Sequence, residues 1–144
     1  FGKNECERIH GHNYRVAAEI VGELDEDSVV IDFIALKAIL RRITDELDHR
    51  VVLPGRSPVL KVNRDGDEVV VTHGETKRWV FPADDCAVLD IPNTTAELLA
   101  RWISQRLQGE LSVQPATPFQ RIVIEVEETP GQSATYTFES RYGS

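Results

Sequence analysis

Residues 6–20 read Cys-Glu-Arg-Ile-His-Gly-His-Asn-Tyr-Arg-Val-Ala-Ala-Glu-Ile, and two patterns overlap there. Tyr14, Val16, Ala18 and Ile20 alternate with Asn13, Arg15, Ala17 and Glu19, the period of two expected of a half-buried β-strand. Residues i and i+2 of a strand point the same way, so carrying the alternation back places His10 and His12 on the apolar side. Both imidazoles then reach one ion, and Gly11 between them leaves room for a ligand or another backbone. Cys6 adds a soft ligand or a thiolate, because a nearby cation lowers a thiol's pKa and turns it into a competent base. Imidazole donors favour zinc, which in catalytic sites keeps three protein ligands and one open position. No third ligand is evident in the sequence.

Working outward, Val21–Ser28 is a polar, acidic turn. Asp32 is a plausible N-cap for a helix on which Phe33, Leu36, Ile39, Leu40, Ile43 and Leu47 form one apolar stripe, ending near Asp48-His49. The pattern changes from Pro54 to Pro92 (54-92). Val59–Val62 and Val69–Val71 flank a turn containing Asp65-Gly66, which predicts a hairpin inserted into the core. Thr94 and Glu97 have capping-box spacing, Leu98, Leu99, Trp102, Ile103 and Leu107 give a second apolar helix face, and Gly109 is the expected stop. Gln120–Glu128 and Ala134–Ser140 alternate around Pro130-Gly131 and predict a closing hairpin. The fold class is therefore α+β, with two helices on one face of an antiparallel sheet. The first strand has no hairpin partner in this order, so one is expected before Phe1.

The chain has 144 residues, enough for one domain with its own core. A net charge of -8 disfavours nucleic acid, whose phosphates call for a basic face. It leaves room for a small anionic substrate held by local cations such as Lys3, Arg8, Arg15 or Arg50. No apolar run is long enough for a membrane helix. Two cysteines and no evident signal segment point to a reducing cytoplasm. Cys86, far from the ligand cluster, reads as packing.

Two further groups carry chemistry. Asp48-His49 sets a carboxylate beside an imidazole at a helix end, where it either tunes proton transfer or complements the helix dipole. Glu128 continues the alternation Ile122, Ile124, Val126 onto the apolar face, so it needs a partner: an internal Arg, or the N–H donors of a bound heterocycle.

These residues resemble a known family, the 6-pyruvoyl-tetrahydropterin and 6-carboxy-tetrahydropterin synthases. Cys6-x-x-x-His10-Gly11-His12 is similar to the C-x3-HGH signature of the carboxy-tetrahydropterin (queuosine-pathway) branch. Val30-Ile31-Asp32-Phe33 matches V-x-DF, Leu47-Asp48-His49 matches LDH, Asn93–Glu97 matches N-P-T-S-E with Thr94 for the proline, and Glu128-Thr129 matches the closing E-T. The resemblance implies a tunnelling fold that assembles into trimers and hexamers with active sites between subunits. It implies a zinc lyase acting on dihydroneopterin triphosphate, with Cys6 as the proton-abstracting thiolate and Asp48 and His49 as the relay. Glu128 would anchor the pterin, and His10 and His12 would be two of three zinc ligands. The family's third histidine lies in a strand before the cysteine, and Phe1–Glu5 contains none, so it is expected upstream of Phe1. The pyruvoyl branch spaces its cysteine further from HGH, and a folate-related, side-chain-cleaving branch carries a glutamate where Glu7 stands. A non-catalytic pterin- or metal-binding oligomer is the reading of another class.

Overall fold

The computed structural model describes residues 6–113 and 118–140. The chain forms two compact units: one combines the segment up to Gly11 with Glu46–Thr95, and the other His12–Asp45 with the chain from Ala96 on.

The second unit holds the α+β core. Strand β1 (Arg15–Val21) pairs antiparallel with β7 (Arg121–Thr129), which pairs antiparallel with β8 (Gln132–Glu139), giving the order β1-β7-β8. β1, which has no hairpin partner in the sequence order, pairs on one side with the distant β7, with Val16, Ala18 and Ile20 opposite Val126, Ile124 and Ile122. Ile122, Ile124 and Val126 are buried and Arg121 and Glu125 exposed, as alternation predicts. Helix α2 (Ala96–Leu111) lies on β7 and β8 and packs against α1 (Phe33–Asp45). Its buried face is Leu99, Ala100, Ile103, Ser104, Leu107 and Leu111, and each fully buried Ile or Leu contributes about 1.5–3 kcal/mol. The helices also share an Arg42–Glu110 pair at 2.6 Å, but both side chains are exposed, so apolar packing dominates their association.

Asp32 caps α1: Ile34 N–H donates to its Oδ1 at 2.8 Å and Leu36 N–H to its carbonyl at 2.9 Å. Leu36 and Ile43 are buried as expected. Phe33, placed on the same stripe by spacing, is 75% exposed, and Ile34 beside it 79%. Helix α1 ends at Asp45, and Glu46–His49 continue as turns. Two expectations for α2 are corrected. Thr95, not Thr94, precedes its first residue, so Thr94 and Glu97 do not stand at capping-box positions, and the helix runs through Gly109 to Leu111. A single glycine costs about 1 kcal/mol in a helix, which the buried Leu107 and Leu111 on either side outweigh.

The first unit pairs β2 (Val51–Pro54) with β6 (Cys86–Leu89) in parallel, a contact the sequence did not reveal. The inserted segment is more than a hairpin. Strands β3 (Leu60–Asp65), β4 (Glu68–His73) and β5 (Thr76–Pro82) form a three-stranded antiparallel meander. Its first turn is the expected one, with Gly66 at φ 59°; its second, at Gly74 with φ 59°, went unread because Glu75 and Lys77 mask the alternation that follows. Leu53, Leu60, Val69, Val71 and Cys86 form the core, with Cys6, Trp79 and Phe81 packed against it.

Gly55 is the tightest backbone approach here. Its N–H donates to the Leu89 carbonyl at 2.7 Å, and a Cβ at that position would stand 2.8 Å from the same oxygen. Gly55→Ala is expected to destabilise the chain by about 1–3 kcal/mol through this overpacking, read as a lowered thermal midpoint. An unchanged midpoint would refute the constraint.

Candidate functional site

The antiparallel register fixes where His12 and Glu128 stand in the second unit. Arg15 lies opposite Glu127, so the residues just before β1 meet the end of β7. There the ladder with β8 shifts register between Glu127 and Thr129, so Glu128 sits at the irregularity. Glu128 Oε1 comes to 3.0 Å from His12 Nε2. That nitrogen is buried, and the approach is a close polar contact without the alignment of a hydrogen bond. The partner that a carboxylate on this face requires is therefore a histidine, not the arginine the sequence left open.

Tyr14 joins the group. Its ring stands edge-on to His12, with centroids 5.8 Å apart at 69°. Burial, reinforced by the Glu128 charge, pushes its phenol pKa above the ordinary tyrosine value. Sequence reasoning took Tyr14 only as an apolar strand residue. Its position two residues from His12 was the available signal.

The first unit carries the other sequence-selected residues. Residues 6–14 do not form a strand, and the extrapolated alternation fails for His10, which is exposed. The His10 Nδ1–H donates to the Arg8 carbonyl at 2.9 Å. In the neutral ring this makes Nε2 the lone-pair nitrogen, the tautomer in which a backbone carbonyl orients a metal-binding histidine. Among the described residues an added Cβ on Gly11 would meet nothing within 4 Å, so the glycine borders open space there. Cys6 is half-buried against the apolar core, and Glu7 is exposed. His49 Nδ1–H donates to Asp48 Oδ1 at 2.9 Å, with the imidazole 94% exposed. His49 has φ 55°, a left-handed conformation uncommon outside glycine. Cys86 Sγ–H donates to the Pro82 carbonyl at 3.5 Å, and burial with Asp85 nearby raises its pKa, so this thiol stays protonated.

The donor chemistry fits a metal at both imidazoles: His10 by its tautomer, His12 by a buried nitrogen. Among the described residues no group of three or more His, Cys, Asp or Glu is placed to hold an ion. Of the cations proposed for phosphate, Arg8 and Arg15 are exposed, Arg50 donates to the Asp84 carbonyl at 3.4 Å, and Lys3 lies outside the described residues.

The model of the family described as 6-pyruvoyl tetrahydropterin synthase matches residues 2–139. The chain belongs to that family. It is 35% identical over 136 residues to a Pyrococcus horikoshii protein named putative 6-carboxy-5,6,7,8-tetrahydropterin synthase, covering 94% of this chain and 78% of that one. A Methanocaldococcus jannaschii protein of the same name is 34% identical, with 94% and 83% covered. Among solved structures, a catalytic-residue mutant of Plasmodium vivax 6-pyruvoyltetrahydropterin synthase, with a glutamate changed to alanine, superposes with a TM-score of 0.87 at 30% identity. It covers 96% of this chain and 86% of that chain. The family members' tunnelling fold is accordingly the fold of this chain, as the resemblance implied. No helix among the described residues is long and apolar enough to cross a membrane.

The Tyr14 environment gives a direct check. Glu128→Gln removes the negative charge that disfavours the phenolate, so the Tyr14 pKa should fall toward the ordinary tyrosine value. An ultraviolet titration with Tyr14→Phe as the reference reads this, and an unmoved titration would contradict the contact.

Proposed function

We propose that the chain is a zinc-dependent lyase that converts 7,8-dihydroneopterin triphosphate and water into 6-carboxy-5,6,7,8-tetrahydropterin, with triphosphate eliminated and the two outer side-chain carbons released as acetaldehyde. The carrying observation is the approach of Glu128 to His12 at 3.0 Å, which sets a carboxylate able to read a heterocycle beside an imidazole able to bind a metal. The names of the archaeal relatives support the product.

Each residue has a role that its surroundings support. Glu128, half-buried at the end of β7, accepts the ring N–H donors of the pterin and orients it. Cys6 takes the carbon-bound proton, and the apolar side chains around it shield the thiolate from water. The Asp48–His49 pair returns a proton: the aspartate holds Nδ1–H, so Nε2 is the exchanging atom. Zinc, held by His10, His12 and a third donor, would act as a Lewis acid toward the side-chain oxygens.

A second reading keeps the fold and changes the base. Glu7 is exposed beside the half-buried Cys6, and the Plasmodium vivax relative has a catalytic glutamate. In that case the product is a hydroxymethylpterin from side-chain cleavage; a pyruvoyl product is the third possibility.

Incubation of the zinc-loaded chain with dihydroneopterin triphosphate, with the pterin identified by mass, separates these products. Cys6→Ala should slow turnover about 10²–10⁴-fold and Glu7→Gln only slightly. The reverse order moves the base to Glu7, and no turnover at all leaves a non-catalytic pterin- or metal-binding protein.

We also propose a homo-oligomer, a trimer or a hexamer, located in the cytoplasm. β1 and β8 are the outer strands of their sheet and present backbone donors and acceptors for a further strand. Phe33 and Ile34 add exposed apolar surface in the same unit. Sedimentation velocity should give a mass that is a multiple of three chains, and a monomer at micromolar concentration would refute the assembly.

A further inference from the structure

Tyr14 brings a polar group to the end of β7 that none of the roles above uses. The last pair of the β1–β7 ladder is Arg15–Glu127, and one step beyond it the antiparallel register sets Tyr14 opposite Glu128. Directly opposed residues share a face and are the closest side-chain neighbours two strands offer, while a residue two positions along is the diagonal one. His12 takes that diagonal place, and its Nε2 comes to 3.0 Å from Glu128 Oε1. The Tyr14 ring stands edge-on to the imidazole, with centroids 5.8 Å apart, which fixes one side of the phenol. The Glu128 charge acts on that phenol. Among the described residues the Tyr14 hydroxyl takes part in no hydrogen bond, and the residue is 42% exposed, so a donor stands open beside the carboxylate.

We propose that Tyr14 is a second ligand-reading residue, whose hydroxyl donates to the 4-oxo group of a pterin while Glu128 accepts from the adjoining N3–H and 2-amino group. The edge of a 2-amino-4-oxo ring presents two donors followed at once by an acceptor. An ionised carboxylate only accepts, at about four lone-pair sites, so Glu128 serves both ring donors beside its contact with His12 but not the oxo group. A phenol O–H is a donor at neutral pH. The pair thus offers acceptor and donor side by side, in the order that this edge requires. The inference rests on the reading of Glu128 as the pterin anchor and deepens it by naming the group that distinguishes the oxo edge.

Tyr14→Phe keeps the ring packed on His12 and removes only the hydroxyl. In a fluorescence titration of the full chain, 7,8-dihydroneopterin should bind Tyr14→Phe about 5-fold more weakly than the unaltered chain. Competition with the 4-thio analogue, which keeps N3–H and is a weaker acceptor, assigns the contact to one atom. The unaltered chain should prefer the oxo compound by about the same factor, and Tyr14→Phe should lose that preference, as a double-mutant cycle requires of two groups in contact. An affinity unchanged in Tyr14→Phe, or a preference that survives the substitution, overturns the inference.

The comparison of the two ligands on the unaltered chain does not depend on the variant's folding, and equal affinities there overturn the inference by themselves. Absence of pterin binding by the unaltered chain overturns it together with the pterin reading. Glu128→Gln separates the two residues: it should weaken both ligands alike, and if it weakens neither while Tyr14→Phe acts as expected, the anchor role of Glu128 falls and the hydroxyl contact stands. None of these titrations needs turnover. The expected factors without turnover of the triphosphate would remove the lyase reading and keep Tyr14 as a ligand contact.

Discussion

The antiparallel register of β1 against β7 is the constraint on which the second unit depends. It buries Ile122, Ile124 and Val126 under α2, and with the same pairing it carries the residues before Arg15 to the end of β7. A slip of one residue would expose the buried triplet and separate His12 from Glu128 together. Core stability and site geometry are thus set by one ladder. The energy of several buried aliphatic side chains holds a single polar contact in place, where a half-exposed ion pair could not hold itself.

The local features of this chain were legible because they depend on near neighbours. Alternation located β1, β7 and β8, the Asp65-Gly66 turn located the β3–β4 hairpin, and Asp32 marked the start of α1. Glu128 was read as facing the apolar side, but the histidine it meets lies on a distant stretch of the chain. Only the strand pairing brings them together. The parallel pair of β2 and β6 was hidden for the same reason: two four-residue strands carry little periodicity, and their partner lies beyond the whole meander.

Where the reading failed, a local rule was carried too far. Alternation was extended from β1 back to His10, although the backbone there is not extended in a ladder and the ring turns instead to the Arg8 carbonyl. The His10-Gly11-His12 segment thus places two imidazoles by two devices, one by a local backbone contact and one by a carboxylate on a distant strand. In α2 the capping pattern was assigned one residue early, and Gly109 was taken as a stop, although the buried side chains flanking it favour continuation. Tyr14 was read for its apolar ring, and its hydroxyl came into view only with the Glu128 charge beside it.

The order β1-β7-β8 also has a meaning in time. Among the described residues β7 is hydrogen-bonded on both sides, β1 on one. A central strand opens only when the unit opens, whereas an edge strand frays by local fluctuation at much lower free energy. Glu128 therefore rides on the better-protected strand and His12 on the approach to the less protected one, so local opening reaches the histidine before the carboxylate.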